Sequence, residues 1–472
     1  MKMRGLGDES FFDEISVVKV ANCHSVCKFI QRVEDEDKKI SIYQNAVGKK
    51  IEIALNEGRP IFFGEVVEVS IAQTFSGIHA EVKAVSDSSK IDEKLETRIF
   101  QNPDKKFSDV LNISRLNISN ATITLDEKFS SQKCPEIILQ YDETNFKFIN
   151  RLAAWKGQRV WVKDTVQGKC ELKVANCADD SPNKISQEDI LRLKIGRREK
   201  IRVAELVTAK YFELGRILNF GNDTCKYLIV ALDVYQENGV DRFRYTLEEL
   251  KELEPAELCN VAPVKLTAKV LDVKDDKNFG RLKVQFDIED KDANKNWLPY
   301  RTPYSGMVFL PEKGDAVEIF YTLGECYVDS ILRTKILDDE CRKDVENEKY
   351  LGNNRKQRIF FREKSFEIKS FDTSIFMDEK KIILSVGKNK VTLDENGITV
   401  QTGGAFKSEV AKDFALKVSG DMNSDVAKKI SVKAGSEIVN DAGGNVSIKA
   451  GGKFTAKASG SAQIGGSTVE LG

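Results

Sequence analysis

Few residues in this chain have types and spacings that could do chemistry. Cys23, His24 and Cys27 form its one Cys/His cluster. A closed zinc site takes four ligands, normally from two such pairs, and no second pair stands at suitable spacing. In a strand, residues 23 and 24 face opposite sides, so a small apolar cysteine inside a barrel is the better reading. His24 and His79 are the only 2 histidines, which removes most His-dependent catalysis. Asp275/Asp276 and Glu289/Asp290 are paired carboxylates of the kind a glycosidase uses. They fall in predicted turns or strand ends, where solvated carboxylates are expected. Gly280 and Gly314 read as turn glycines, and no G-x-x-x-x-G-K-[ST] phosphate loop is present. The expectation is no catalytic residue, no metal site and no cofactor.

The elements that would have to position any such group are dominated by a repeat. Stepping by eight from Ile398 gives Phe406, Phe414, Met422, Ile430, Ile438, Val446, Phe454 and Ala462, all apolar. A second track runs Val400, Ser408, Leu416, Ser424, Val432, Asn440, Ile448, Ala456, Ile464. A third runs Val418, Val426, Ala434, Ala442, Ala450, Ala458. From Phe414 onward nearly every apolar residue is even-numbered, while Lys417, Lys429, Lys433, Lys449, Lys453 and Lys457 are odd. Alternation at period two predicts half-buried strands. The eight-residue period, with Gly444, Gly452 and Gly460 at one position, predicts tight corners between them.

Such octads cannot close a core alone. Each offers two or three inward side chains worth roughly 1.5–3 kcal/mol apiece when buried, against an ordering cost of about 1–2 kcal/mol per residue. The chain must coil as a solenoid or intertwine with identical copies about an axis. A disordered tail would not keep parity and register for so long.

Composition narrows the class. The chain has 472 residues, with 73 basic and 74 acidic, which does not suggest a polyanion partner. No stretch has the 18 or more apolar residues of a membrane helix. The N-terminal MKMRGLGDESFFDE lacks a secretory apolar core, so the chain is expected in the cytoplasm on assembly. The 9 cysteines are unclustered and read as reduced thiols.

Taken in order, residues 11–90 predict strands at Ile15–Val20, Lys39–Tyr43, Lys50–Leu55, Ile61–Val69 and His79–Val85, a small barrel or sandwich. In RIFQNPDKKFSDVL (Arg98–Leu111), Pro103 and Asp104 open a helix whose Phe107, Val110 and Leu111 share a face. Between Leu139 and Asp164, Asp142 or Thr144 caps a helix with Phe146, Ile149, Leu152 and Ala153 on one stripe. Gly157 ends it, and Val160 and Val162 start a strand. Further strands follow at Val203–Phe212 and Tyr227–Tyr235. Lys265–Thr334 reads as about five strands, a small barrel of OB type. Between Lys269 and Lys335 there are 11 basic and 12 acidic residues, so the electrostatic footprint of a nucleic-acid-binding OB fold is missing. Trp297, Tyr300, Tyr304 and Phe309 read as core or collar contacts. From Ile359 to Val400, strand pairs with turns at Asp378–Lys381, Gly387–Asn389 and Asp394–Gly397 feed into the octads.

Three stretches together resemble the VgrG family, the spike proteins of type VI secretion and, more broadly, hub-plus-spike proteins of contractile phage tails. They are RIFQNPDKKFSDVL, with Phe100 and Gln101; QYDETNFKFINRLAAWKG (Gln140–Gly157), with Asn145, Phe146, Arg151 and Leu152; and the barrel. The barrel carries VLDVKDDKNFGRLKVQF (Val270–Phe286) with Gly280, then Trp297, then FLPEKGDAVEIFY (Phe309–Tyr321) with Pro311, Gly314 and Asp315. The order of hub, OB barrel and octads also agrees.

The resemblance implies a mainly β chain: a two-barrel hub with short helices at 1–262, an OB-fold collar at 263–335, a neck at 336–358 and a β-helical needle at 359–472. The needle would be an intertwined triple-stranded β-helix (β-prism) of a homotrimer, with Phe414, Met422, Ile430, Ile438, Val446, Phe454 and Ala462 on its axis. Implied partners are a hexameric tube protein, baseplate proteins, and a PAAR-type tip protein or effector held near Thr468, Val469 and Leu471. The chain would be injected into a target cell by the contractile apparatus, and any payload would be a separate protein. The neck has no room for the lysozyme domain of some phage relatives. Alternatives are a phage tail, tailocin or extracellular injection spike, a cell-wall hydrolase or effector, and a trimeric adhesin.

Overall fold

The computed structural model describes residues 1–6, 12–34, 37–113, 121–134, 137–165, 169–220, 225–256, 263–277, 279–288, 295–302, 310–322, 325–332, 348–353 and 356–470. The chain divides into two compact units, Met1–Asp339 and Glu340–Gly472.

The largest element of the first unit is a 12-stranded sheet. Its central pair joins Glu14–Val20 antiparallel to Lys226–Glu237, with Val17 opposite Val234. Outward on one side lie Val26–Val33, Gly77–Ser86, Pro60–Thr74, Lys50–Ala54 and Lys2–Arg4; outward on the other lie Val240–Glu249, Ile201–Thr208 and Ile190–Arg198. Alternate residues such as Val17, Cys27, Phe29, Phe62, Leu206, Tyr227 and Tyr245 fill one apolar core shared by both halves. The two halves expected as barrels are thus joined by a continuous hydrogen-bonded sheet.

Lys39–Tyr43, expected as a strand, lies in the helix Asp37–Gln44. Ile40 and Tyr43 stand three apart and both reach the core, a helical spacing that four residues of apparent alternation obscured.

A second layer holds the helices Phe107–Ile113 and Asn145–Trp155 and the strands Ala121–Leu125, Cys170–Ala175 and Arg159–Lys163. Phe107, Val110 and Leu111 are buried there, with Phe146, Ile149, Leu152 and Ala153. Thr144 is the N-cap of the longer helix, its Oγ1 accepting from the Lys147 amide at 3.3 Å.

The barrel that follows is a five-stranded sheet in the order Trp297–Leu298, Leu282–Phe286, Val264–Asp272, Ala316–Thr322, Glu325–Ile331. Its core is Leu266, Ala268, Val270, Leu282, Val284, Phe286, Leu298, Val317, Ile319 and Val328, completed by Ile99 and Leu139 from upstream.

In the second unit, seven strands from Glu348–Gly352 to Gly397–Gln401 form an antiparallel meander. The octads beyond it, expected as half-buried strands, form no strand in the single chain among the described residues; bends fall at 403–404, 411–412, 419–420, 427–428, 435–436, 443–444, 451–452, 459–460 and 467. Among the described residues no helix is long and apolar enough to cross a membrane.

Candidate functional site

The two upstream motif stretches meet in a two-stranded ribbon, Leu95–Phe100 against Ile138–Thr144. Ile99 lies opposite Leu139, and Phe100 opposite Ile138. Successive strand residues point to opposite faces, so the ribbon serves two cores. Ile99 and Leu139 enter the barrel core; Phe100 and Ile138 enter the helical layer. Gln101, buried just past the strand, donates Nε2 to the Val284 carbonyl of the barrel at 2.9 Å. Tyr321 returns a bond from the barrel, its hydroxyl donating to the Ile137 carbonyl at 3.1 Å.

The helix motif locks the same ribbon. Arg151 donates Nε to Glu143 Oε1 at 3.1 Å, and Nη2 to Glu143 Oε2 and to the Leu139 carbonyl, both at 2.7 Å. This is a bidentate pair, with Nη2 also tied to the backbone. Asn145 Oδ1 accepts from Gln140 Nε2 at 3.0 Å and from Arg98 at 3.2 Å. Phe146 stacks on His24 with ring centroids 3.9 Å apart, and Leu152 is fully buried. The motif residues are brought together, and what they build is a joint between the helical layer and the five-stranded barrel.

In the barrel, Gly314 takes φ 97°, and Asp315 Oδ2 accepts from the Glu312 amide at 2.9 Å, closing the turn before Ala316–Thr322. Pro311 is buried, and Trp297 is half-buried with Lys283 Nζ 4.9 Å from its ring centroid. Gly280 has φ 68°. Asp275, expected as a solvated carboxylate, is buried instead. It accepts from Arg281 Nε and Nη2 at 2.8 and 2.7 Å, and from the amides of Lys277 and Phe279, both at 3.1 Å. The Arg281 hydrogen bonds hold its carboxyl well below the usual carboxylate range, outweighing desolvation. Sequence reasoning missed this clamp; an Asp six residues before an Arg across a tight turn was the available signal. Tyr304, Phe309, Glu289 and Asp290 lie outside the described residues.

One arrangement has the residue types of a hydrolytic triad. His24 Nδ1 is 2.7 Å from Ser88 Oγ, and its Nε2 is 2.9 Å from Asp92 Oδ2. Accessibility runs the wrong way for catalysis. Ser88 is 2 % exposed and also bonded to Ser86 Oγ at 2.8 Å, while Asp92 is the more open partner. Asp92 also accepts from Thr144, the helix cap, so the cluster ties three chain segments together. Both ring nitrogens of His24 are occupied. Cys23 is exposed, and Cys27 is buried, which pushes its thiol far above its usual range.

The octads present the other candidate surface. Two-residue loops separate the meander strands at 363–364, 371–372, 379–380, 387–388 and 395–396. The bends beyond continue from 403–404 to 467, so a single eight-residue frame runs from Glu363 to Ser467 without a slip. Within the meander, Phe361, Phe366, Met377, Ile382, Leu393 and Ile398 oppose one another in turn. So do Ile359, Ile368, Ile375, Leu384, Val391 and Val400. Directly opposed residues share a face, so one face carries two unbroken apolar rows.

The parity of those rows flips at every hairpin, as chain reversal requires. After Ile398 it stops flipping, and Phe406, Phe414, Met422 and Ile430 stay even. Constant parity is the pattern that segments repeating without reversal would have. In the single chain these side chains are uncovered: Phe414 is 73 % exposed, and Met422, Ile430, Ile438, Val446, Phe454 and Ile464 are also exposed. Ala462, Thr468 and Val469 are exposed. Leu471 lies outside the described residues.

Comparison with known proteins agrees with this architecture. Residues 266–327 match the family model of the type VI secretion system/phage-baseplate injector OB domain. Among solved structures, the chain is similar to the E. coli c3393 protein, a type VI secretion component with structural similarity to the bacteriophage T4 tail proteins gp27 and gp5. The TM-score is 0.52 at 12 % identity, over 70 % of this chain and 100 % of that one. It is also similar to a chain of the Francisella PdpA–VgrG complex in its half-lidded form, with TM-score 0.53 at 8 % identity, over 84 % and 87 % of the two chains. The lidded form gives 0.53 at 9 %, over 85 % and 80 %. At these identities the likeness is one of fold. No curated protein matches the chain.

Proposed function

We propose that this chain is the central spike of a contractile injection system, acting mechanically as a homotrimer. The observation that carries the reading is the unbroken octad frame from Glu363 to Ser467, whose apolar residues are uncovered in one chain. Exposed apolar area of this extent marks an association surface. Burying at least six large side chains per copy, at roughly 1.5–3 kcal/mol each, supplies the drive for copies to intertwine. The constant parity past Ile398 supports wrapping about a common axis, with Phe414, Met422, Ile430, Ile438, Val446, Phe454 and Ala462 turned inward. The taper from Phe and Ile to Ala supports a narrowing shaft that a tip protein closes near Thr468, Val469 and Leu471.

The working division is a hub at 1–262, a collar at 263–335, a neck at 336–358 and a needle at 359–472. Sharing of Ile99 and Leu139 between hub and barrel supports a rigid joint able to pass axial load. In this reading the hub seats on a hexameric tube and baseplate proteins, and the needle carries a PAAR-type tip or an effector. The chain assembles in the cytoplasm and leaves it with the contractile discharge. No covalent step is assigned to it; burial of Ser88 weighs against the hydrolase alternative. The injector OB match and the type VI likenesses favour type VI secretion among contractile systems.

Deleting the chain from its host tests the proposal. Tube assembly should stop and return on complementation with the intact chain but not with a chain ending at Val400. Normal tubes and delivery in its absence contradict it.

A further inference from the structure

The octad frame carries one column of ionised residues whose sign alternates. Glu409, Lys417, Asp425, Lys433, Asp441 and Lys449 follow one another at eight-residue intervals, each opposite in sign to the one before. Every one of them stands two residues ahead of a bend, so a common corner fixes its place in the octad. All six have odd parity, opposite to the apolar residues, which sets them outside a needle that buries the even positions. They are exposed, and in the single chain they form no ion pair among the described residues. Overall neutrality does not produce the pattern, because the odd column four residues ahead holds Asp413 and Asp421 in succession.

A sign that alternates by octad discriminates between ways of stacking. Copies stacked in register set each octad on itself, so Glu409 meets Glu409 and Lys417 meets Lys417. Like charges directly opposed are destabilising. Any even offset repeats that fault, and only odd offsets set carboxylate on ammonium along the whole column. About a threefold axis, the three copies of one octad share a height, one to each face. A chain that moves one face on at each corner, climbing one level, lays its next octad over the preceding octad of a neighbour. The offset is then one, and every step from Glu409 to Lys449 becomes attractive on each face.

We propose that this column is the register key of the needle. Each octad between Glu409 and Lys449 receives the next octad of a second copy of this chain, through contacts such as Lys417 with Asp425 and Lys433 with Asp441. The apolar rows drive association but cannot set the register. Phe414, Met422, Ile430 and Ile438 are alike enough to accept a slip of one octad, which the charges refuse. A slip of two restores the signs but uncovers two octads of apolar side chains at an end. One exposed pair contributes little, so the selection comes from the repeated column. This register rests on the spike reading for the existence of the needle, and adds which segments of which copies meet.

Two measurements on the full-length chain test it. A carbodiimide joins an amine to a carboxylate in contact. It should convert the chain to covalent trimers on a denaturing gel, with peptide mass analysis showing Lys417 joined to Asp425 or Glu409, and Lys433 to Asp441 or Asp425. In thermal dissociation, Lys433→Asp turns both of its steps repulsive. It should lower the midpoint by about 5 °C or more at low salt, and by less than half of that near 1 M salt. Inverting the whole column, E409K/K417E/D425K/K433D/D441K/K449D, restores alternation and should recover most of the loss. If that variant folds poorly, Lys433→Gln should fall between the wild type and Lys433→Asp. Links between Lys417 and Asp441, three octads apart within single chains, overturn the register in favour of one chain coiled as a solenoid. A trimer without links in the column overturns it, as does one whose Lys433→Asp and Lys433→Gln variants melt within about 1 °C of the wild type. Molar mass on the same sample keeps the two readings apart: those trimers fail the register alone, whereas a monomer fails the spike reading with it.

Discussion

Ile438 and Val439 are adjacent, both apolar, and 54 % and 70 % exposed in the single chain. A tail that never finds a partner treats Asp at either site alike; a three-chain needle does not. Ile438→Asp removes three buried Ile side chains, about 1.5–3 kcal/mol each. It also sets three carboxylates around one axis, where each pair at about 5 Å repels by roughly 3 kcal/mol at an effective dielectric near 20. Protonation bounds the second cost. Holding each carboxyl neutral at pH 7 against a model value near 3.9 costs about 4 kcal/mol per chain. The expected penalty is therefore on the order of 10 kcal/mol per trimer at neutral pH.

The introduced carboxyl has its folded pKa raised, so the needle recovers stability as pH falls and keeps only the lost-burial penalty near pH 4. Val439→Asp, on the outward parity, should stay within about 0.5 kcal/mol. The assay is thermal dissociation of the assembled chain at pH 7 and pH 4. Equal effects of the two substitutions refute the inward assignment.

Leu139→Ala, at the ribbon shared between hub and barrel, should cost about 2–5 kcal/mol and lower the barrel transition in calorimetry. The Asp275 carboxyl is held low by Arg281, so its stabilisation is full above an unfolded value near 3.9 and fades as pH falls below that. The melting temperature of the wild type should therefore drop more steeply between about pH 5 and 3 than that of Asp275→Asn. Gly157 has φ +64°, and a Cβ there would stand 2.4 Å from the Leu253 carbonyl oxygen. Gly157→Ala should thus destabilise by more than about 1 kcal/mol in denaturant titration.

Period was the most legible feature of the chain. The octads, the barrel turns at Gly280 and Gly314, and the stripe of Phe146, Ile149 and Leu152 all come from local spacing that one strand or helix expresses by itself. The eight-residue frame reaches further upstream than Ile398. In the meander, hairpin reversal shifts the apolar residues of one row alternately by nine and seven, as from Ile359 to Ile368 to Ile375. A fixed step of eight passes over that pattern. The strand Val26–Val33 went unassigned because Lys28, Gln31 and Arg32 dilute its apolar alternation.

At the joint, the residues that mattered could be named but their use could not. Phe100 and Ile99 are neighbours serving different cores, and only the register with Ile138 and Leu139 separates them. The pairing of His24 with Ser88 and Asp92 depends on contacts across the fold. No local pattern encodes them.

In the spike reading, one chain is not the functional unit. Molar mass of the purified full-length chain in solution, by light scattering at micromolar concentration, tests it most directly. The expected result is three chain masses, stable to dilution. A chain that stays monomeric at that concentration contradicts it.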